Sequence, residues 1–191
     1  MNATKVFPAF AIVLAPAVIT LITRLVPLPN TQNTKLPSKI TIATENEPGE
    51  RLVVSGTVYI DDSKTPLADA EVYVYHTDVD GYYNRSAGDR GNSNPRLNGR
   101  MHTDANGAYE FRTIKPGPYP DSRIAAHIHY AVSAPGYKER KLELLFEGDE
   151  FITARMREES KSPDGFYHIR ALEKNAKGML ACRLDVVLNR Q

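Results

Sequence analysis

The chain has 191 residues, which favours one folded domain with or without a tail. Its 24 Lys and Arg residues balance 23 Asp and Glu residues, and this net charge of +1 argues against a nucleic-acid partner. The single cysteine, Cys182, excludes an internal disulfide and a multi-cysteine zinc site. Hydrophobic residues make up 41% of the chain, which indicates a packed globular protein rather than a disordered one.

The first feature in chain order is an apolar run over residues 6–23, which follows Lys5 and is closed by Arg24. A basic start followed by such a run is typical of a secretory signal, and 18 residues is near the lower limit for a membrane-spanning helix. We therefore predict that residues 1–29 form a signal peptide or membrane anchor. The protein would then be exported or membrane-anchored, on the periplasmic or extracellular side. The alternative is a hydrophobic helix that packs on the domain or on a partner subunit.

The next two segments set the predicted domain boundaries. Residues 30–48 are polar, contain prolines and lack helical periodicity, which predicts a linker. Residues 49–191 form the predicted folded domain.

The domain is predicted to consist mainly of strands. Between Ala70 and His76 the sequence alternates, which places Val72 and Val74 on one face of a strand and the neighbouring tyrosines on the other. One short segment, 150–159, is predicted to be helical. Short strands separated by Gly, Pro, Asp and Asn turns indicate an antiparallel β-sandwich. The predicted strands are 52–60, 70–76, 108–112, 124–133, 141–146 and 179–188.

A long segment without apolar periodicity, 78–99, separates two of these strands. Such a stretch inside a compact domain is usually functional or disordered. Two adjacent tyrosines, Tyr82 and Tyr83, lie near its start. His76 and His102 lie near strand ends, where we expect exposed polar positions.

The main chemical signal is the pair His127 and His129 in a predicted strand. Side chains two residues apart point to the same face, so the strand presents two imidazoles side by side. Imidazole is a common metal ligand, and a structural role for both histidines is the alternative.

A tyrosine lies in a rigid loop shortly before the histidine pair. Tyr119 stands between Pro118 and Pro120, and prolines restrict the backbone on both sides. Its ring either packs under the loop or delivers a phenol oxygen to the histidines. Phenolate and imidazole donors without thiolate fit Fe(III) better than Cu(I) or zinc.

Two sequence motifs show a family resemblance. Residues 111–120 read FRTIKPGPYP and residues 126–130 read AHIHY. With shorter matches in order, such as FEGD at 146–149, they make the chain resemble the intradiol ring-cleavage dioxygenases, which include the protocatechuate and catechol dioxygenases. The resemblance covers about residues 52–149.

The resemblance implies a transthyretin-like β-sandwich with one non-haem Fe(III). Its ligands would be Tyr83, Tyr119, His127 and His129, with Tyr82 as the alternative to Tyr83. The implied reaction uses O2 to cleave a catechol-type ring between its two hydroxylated carbons and gives a muconate-type diacid. Tyr119 would also take a substrate proton. Family members assemble, so a homo-oligomer is a further expectation.

The sequence departs from the family pattern near the expected active site. The family usually has an arginine three residues before the first ligand histidine, but this chain has Ile124 at that position. Arg123, one residue earlier, is the substitute, and we predict it to be catalytic. Glu143 stands where Gln is usual, and Tyr75 replaces a Trp. These changes keep two alternatives open. One is a transthyretin-like or carboxypeptidase-regulatory-like binding module without catalysis, and the other is an iron-binding homologue with altered chemistry.

Overall fold

The computed structural model describes Met1 and residues 36–84 and 94–191. The apolar run 6–23, and with it the predicted signal peptide or membrane anchor, lies outside these residues and stays a prediction. No helix in the described ranges is long and apolar enough to cross a membrane.

The described residues form strands and one short helix. In chain order the strands are β1 (Lys39–Thr41), β2 (Arg51–Ile60), β3 (Glu71–His76), β4 (Leu97–His102), β5 (Ala108–Ile114), β6 (His127–Ser133), β7 (Arg140–Phe146), β8 (Tyr167–Arg170), β9 (Glu173–Lys174), β10 (Leu180–Arg183) and β11 (Val186–Leu188). Helix α1 (Ala154–Glu159) lies between β7 and β8.

The strands form two sheets. The first sheet has the order β1-β5-β2-β10-β9, with β11 also paired to β2, and the second has the order β4-β3-β6-β7-β8. The prediction of a mainly β fold is confirmed. The central pairs are antiparallel, as predicted, whereas β1, β8, β10 and β11 add to them in parallel.

The larger hydrophobic core lies between the two sheets. The ring centroids of Phe111 on β5 and Tyr130 on β6 are 6.0 Å apart across this core. Val72 and Val74 are fully buried, and Tyr73 and Tyr75 lie on the opposite face of β3. The alternation predicted for β3 is therefore confirmed, and it leaves a second face of this sheet available for chemistry.

Two predicted irregular segments contain strands. β1 lies within the predicted linker 30–48, and just after it the Ile42 N–H donates to the Arg112 carbonyl at 2.8 Å. The linker prediction is therefore wrong from residue 36 onward. β4 begins inside the segment 78–99, and its apolar pattern is interrupted by Gly99. A Cβ at Gly99 would lie 2.4 Å from Ile40 Cδ1, so a larger residue there would displace the end of the Ile40 side chain on β1.

Two further predicted elements are shorter than expected. The segment 179–188 forms two strands, β10 and β11, because Asp185 leaves the strand to accept a hydrogen bond from the Thr57 N–H at 2.8 Å. The helix predicted over 150–159 begins only at residue 154, after Thr153, whose hydroxyl caps the Met156 N–H at 3.2 Å.

Candidate metal centre

The candidate centre lies on the outer face of the second sheet. His127 and His129 stand on this face at the start of β6, two residues apart, as the strand period requires. The neighbouring strands place Tyr75 on one side of His129 and Glu143 on the other. Tyr83 reaches the centre from the loop after β3, and Tyr119 reaches it from the loop between β5 and β6.

The structure brings together the four predicted ligand side chains. The Tyr83 hydroxyl lies 2.7 Å from His129 Nε2 and in direct contact with the Tyr119 hydroxyl. The Tyr119 hydroxyl lies 3.2 Å from His127 Nε2 and 3.4 Å from His129 Nε2. The two Nε2 atoms are 3.0 Å apart.

The adjacent tyrosines Tyr82 and Tyr83 differ in burial. Tyr83 is 5% exposed and contacts the other donors, whereas Tyr82 is 36% exposed. The geometry therefore favours Tyr83 over the alternative, Tyr82.

Hydrogen bonds of Asp78 shape the loop that carries Tyr83. One Asp78 carboxylate oxygen accepts from the N–H groups of Asp80 and Tyr82, at 3.0 Å each. Gly81 has a φ of 83°, which is a conformation that glycine adopts without strain. These contacts turn the chain so that Tyr83 faces β6.

Arg96 connects this loop to the segment before β2. Its N–H donates to the Tyr83 carbonyl at 2.9 Å. Its guanidinium donates to both carboxylate oxygens of Glu47, at 2.6 and 2.7 Å, and lies 3.8 Å from Asp78. Neither Arg96 nor Glu47 lies in a recognisable local motif, and the two lie 49 residues apart, so the sequence alone does not reveal this pair.

The two tyrosine loops are also bonded to each other. The Gly117 N–H donates to the Asp78 carbonyl at 2.9 Å, and the Thr77 hydroxyl donates to the Gly117 carbonyl at 2.8 Å. A Cβ at Gly117 would lie 2.2 Å from the Val79 carbonyl oxygen, so this approach requires glycine. The positions of Tyr83 and Tyr119 are therefore coupled.

The hydrogen bonds of the imidazoles fix which ring nitrogen faces the centre. His127 Nδ1 lies 2.7 Å from the Ala125 carbonyl, which can only accept, so Nδ1 carries the proton. His129 Nδ1 lies 3.4 Å from a Glu143 carboxylate oxygen and takes the same tautomer. In the neutral rings both Nε2 atoms then present lone pairs to the centre, where the hydroxyls of Tyr83 and Tyr119 can donate to them or a cation can take the place of those protons.

Burial shifts the pKa values of the tyrosines and of His129 in the cluster toward their neutral forms. Burial, with the contact to Tyr119, raises the pKa of Tyr83 far above its usual value. Burial also raises the pKa of Tyr119 and lowers the pKa of His129 to about 3, to which His127 contributes. A bound metal ion would reverse the preference of the tyrosines, because it favours phenolate, and it would bind the imidazoles in the neutral form that burial already favours.

The spacing of the donors fits one metal ion. Metal–nitrogen bonds are about 2.0–2.1 Å long, so two donors at a right angle on one ion lie roughly 2.9 Å apart. The Nε2 atoms are 3.0 Å apart, and the tyrosine oxygens lie 2.7–3.4 Å from them. Glu143 is a further oxygen donor near the histidines, which the sequence analysis did not propose as a ligand.

Comparison with known proteins identifies the family. The family model described as "Dioxygenase" matches residues 27–190. The chain belongs to the intradiol ring-cleavage dioxygenases. It is 34% identical to catechol 1,2-dioxygenase 2 of Acinetobacter lwoffii over 122 residues, which is 56% of this chain and 43% of that protein. It is 32% identical to the chlorocatechol 1,2-dioxygenase of Rhodococcus opacus, over 56% of this chain and 48% of the relative.

A solved structure shows the same fold. The dioxygenase domain of a dioxygenase and carbohydrate-binding protein fusion from Streptomyces sp. SirexAA-E superimposes with a TM-score of 0.60 at 25% identity. The match covers 83% of this chain and 92% of that domain. The chain spans less than half the length of the two curated dioxygenases above.

The intradiol dioxygenase resemblance also predicts that Arg123 is catalytic. Arg123 is exposed, and its guanidinium carbon lies 5.8 Å from the ring centroid of Phe151. Ile124, at the position where the family has arginine, is 44% exposed. Within the described ranges Arg123 makes no hydrogen bond to the donor cluster, and its catalytic role stays a prediction.

Tyr75 and Glu143, the other departures from the dioxygenase pattern, both contact His129. The Tyr75 ring stacks on the imidazole with centroids 4.4 Å apart and planes at 16°. The Glu143 side chain is 16% exposed, and burial raises its pKa. The carboxylate is turned toward His129 Nδ1 and holds this ring in place.

His76 is not exposed, contrary to expectation. It is fully buried on the inner face of β3, with Nδ1 2.7 Å from the Thr77 carbonyl and Nε2 2.6 Å from the Thr113 hydroxyl. The prediction is wrong because Thr113, on the opposite sheet, supplies a polar partner that the local sequence does not reveal.

Proposed function

We propose that the chain is a non-haem Fe(III) dioxygenase. It would cleave a catechol-type ring between its two hydroxylated carbons with O2 and yield a muconate-type diacid. The observation that carries this proposal is the convergence of two phenol oxygens and two imidazole lone pairs within 3.4 Å. Family membership, and the catechol and chlorocatechol named for the relatives, support the substrate class and disfavour a binding module without catalysis.

Tyr83, Tyr119, His127 and His129 would hold the iron. When bound, ferric iron supplies Lewis acidity to the two neighbouring hydroxyl groups of the substrate. Two tyrosinates offset most of its charge in a partly buried site, where an unbalanced charge is costly.

The chain itself orients the donors and moves a proton. The Ala125 carbonyl and Glu143 hold the histidine rings so that both Nε2 atoms face the centre. Tyr83 is almost fully buried in a loop braced by Asp78, which suits a fixed ligand. Tyr119 is only half-buried, so its phenol oxygen is the one suited to receive the proton of a substrate hydroxyl.

Oxygen uptake by the iron-loaded full chain tests this function. We expect uptake with at least one of catechol, protocatechuate and hydroxyquinol, with a ring-opened diacid as product. Tyr83→Phe should lower kcat/KM at least about a hundredfold, since it removes an oxygen donor. Tyr82→Phe is the matched control and should stay within about twofold of wild type. No uptake with any of the three compounds, or equal effects of the two substitutions, would reject the proposal.

A further inference from the structure

A trough runs along the outer face of the second sheet, away from the candidate metal centre. It encloses about 500 Å³, and His129 forms one end. Beyond His129, β6 presents only Ala131 and Ser133 on this face. Small side chains on the central strand between larger ones on β3 and β7 create the depression.

Strand register sets the walls of this trough. Tyr73 on β3 and Lys141 on β7 lie directly on either side of Ala131. Adjacent strands are about 4.8 Å apart, so the two walls stand roughly 10 Å from each other. Their far ends are open to solvent, since the side chains of Arg100 and Lys141 are 53% and 73% exposed.

The wall on β3 is a continuous aromatic surface that begins at the metal centre. Tyr75 stacks on His129, and the Tyr73 ring follows with its centroid 5.6 Å from that of Tyr75. The Arg100 guanidinium covers the Tyr73 ring at 4.1 Å. A ring stacked on Tyr73 would lie about 4.5–7 Å from it, which is above Ala131.

The charges in the trough favour hydroxyl groups over a carboxylate. The two cationic side chains of the trough already have partners. Arg100 contacts Glu71, and the Lys141 ammonium lies 3.3 Å from the Glu139 carboxylate. Glu143 adds a third carboxylate at the end near His129. Carboxylates accept hydrogen bonds from hydroxyl groups and repel anions.

We propose that the trough binds a second, hydroxylated ring of the substrate. This inference rests on the proposed function, and it narrows the substrate to uncharged catechols joined to a further phenolic ring. The catechol ring lies at the metal centre, and the second ring lies over Ala131 against Tyr73.

Substrate preference in the iron-loaded full chain tests the proposal. The KM for (para-hydroxyphenyl)catechol should be about tenfold below that for catechol, which corresponds to about 1.4 kcal/mol. Ala131→Phe fills the trough and should reduce this preference to within about twofold. Ala171→Phe makes the same change at an exposed alanine outside the trough and should keep the preference. Tyr73→Ser should also reduce it, without crowding the trough.

A second probe separates this proposal from the proposed function. Para,para-biphenyldiol has no neighbouring hydroxyl pair, and calorimetry should show that it binds to wild type and to Ala171→Phe but not to Ala131→Phe. If no catechol is consumed while this pattern holds, the dioxygenase function fails and the trough remains an aromatic-binding site. Equal KM values in wild type, or a preference that survives Ala131→Phe, would overturn the proposal. The proposal would also be overturned if Ala131→Phe changed the mass measured by sedimentation and lost no ligand binding. The trough would then be a contact between copies of the chain.

Discussion

His129 and His76 lie on opposite faces of the paired strands β3 and β6, and the two imidazoles differ in their hydrogen-bond partners. Burial lowers the pKa of both, to about 3 and about 4. His76 has one acceptor, the Thr77 carbonyl, and one donor, the Thr113 hydroxyl, so its hydrogen bonding is complete. His129 Nε2 instead has three neighbours within 3.4 Å, which are the hydroxyls of Tyr83 and Tyr119 and the Nε2 atom of His127. A buried histidine with complete partners is structural, and converging lone pairs indicate a metal site.

The stability of the iron-free protein should separate the two histidines. His76→Leu should lower the free energy of unfolding by about 3 kcal/mol, because it leaves buried polar groups of Thr77 and Thr113 without a partner. His129→Leu should lower it by only about 1 kcal/mol, because the Tyr83 hydroxyl that loses His129 keeps its contact with the Tyr119 hydroxyl. Urea unfolding in the presence of a chelator measures both values. Equal losses of unfolding free energy in the two variants would contradict the distinction between a structural and a metal-binding histidine.

Arg96 should support the metal centre without touching it. Arg96→Met takes the guanidinium away from the buried Glu47, and the free energy of unfolding should fall by about 2 kcal/mol, less than for a fully buried pair. Because the guanidinium also lies 3.8 Å from Asp78, whose carboxylate accepts the hydrogen bonds that shape the Tyr83 loop, the visible absorption of the iron-loaded variant should weaken.

A double substitution provides the control for Arg96. Combining Arg96→Met with Glu47→Gln should restore most of the stability, since no carboxylate is then left without its cation. Loss of stability with an unchanged visible spectrum would limit Arg96 to a structural role.

The pH dependence of stability should report on His76. Its pKa is lower in the folded protein, at about 4, than the usual 6.5, so its contribution is complete above pH 6.5 and is lost as the pH falls toward 4. Between pH 7.5 and 5.5 this loss amounts to about 1.4 kcal/mol. His76→Asn should reduce the slope of the urea-unfolding profile by this amount, and the remaining slope belongs to His129 and His168, whose pKa values burial also lowers. An unchanged slope would assign the whole effect to other groups.

How far the sequence predicts this molecule depends on the range of the interactions. The strand period alone places His127 and His129 on one face, and the proline-bounded Tyr119 is recognisable locally. The pairing of Arg96 with Glu47 and the width of the trough are not predictable in this way. Each depends on register between segments far apart in the chain. β4 was missed because Gly99 replaces an apolar residue where β1 packs.

Iron titration of the full chain, followed by visible absorption, tests the central claim most directly. The account predicts one ferric ion per chain and a burgundy colour from tyrosinate-to-iron charge transfer that shifts when catechol is added. The colour should be lost in His129→Leu and kept in His76→Leu. A wild-type protein that stays colourless and takes up no iron would contradict the account.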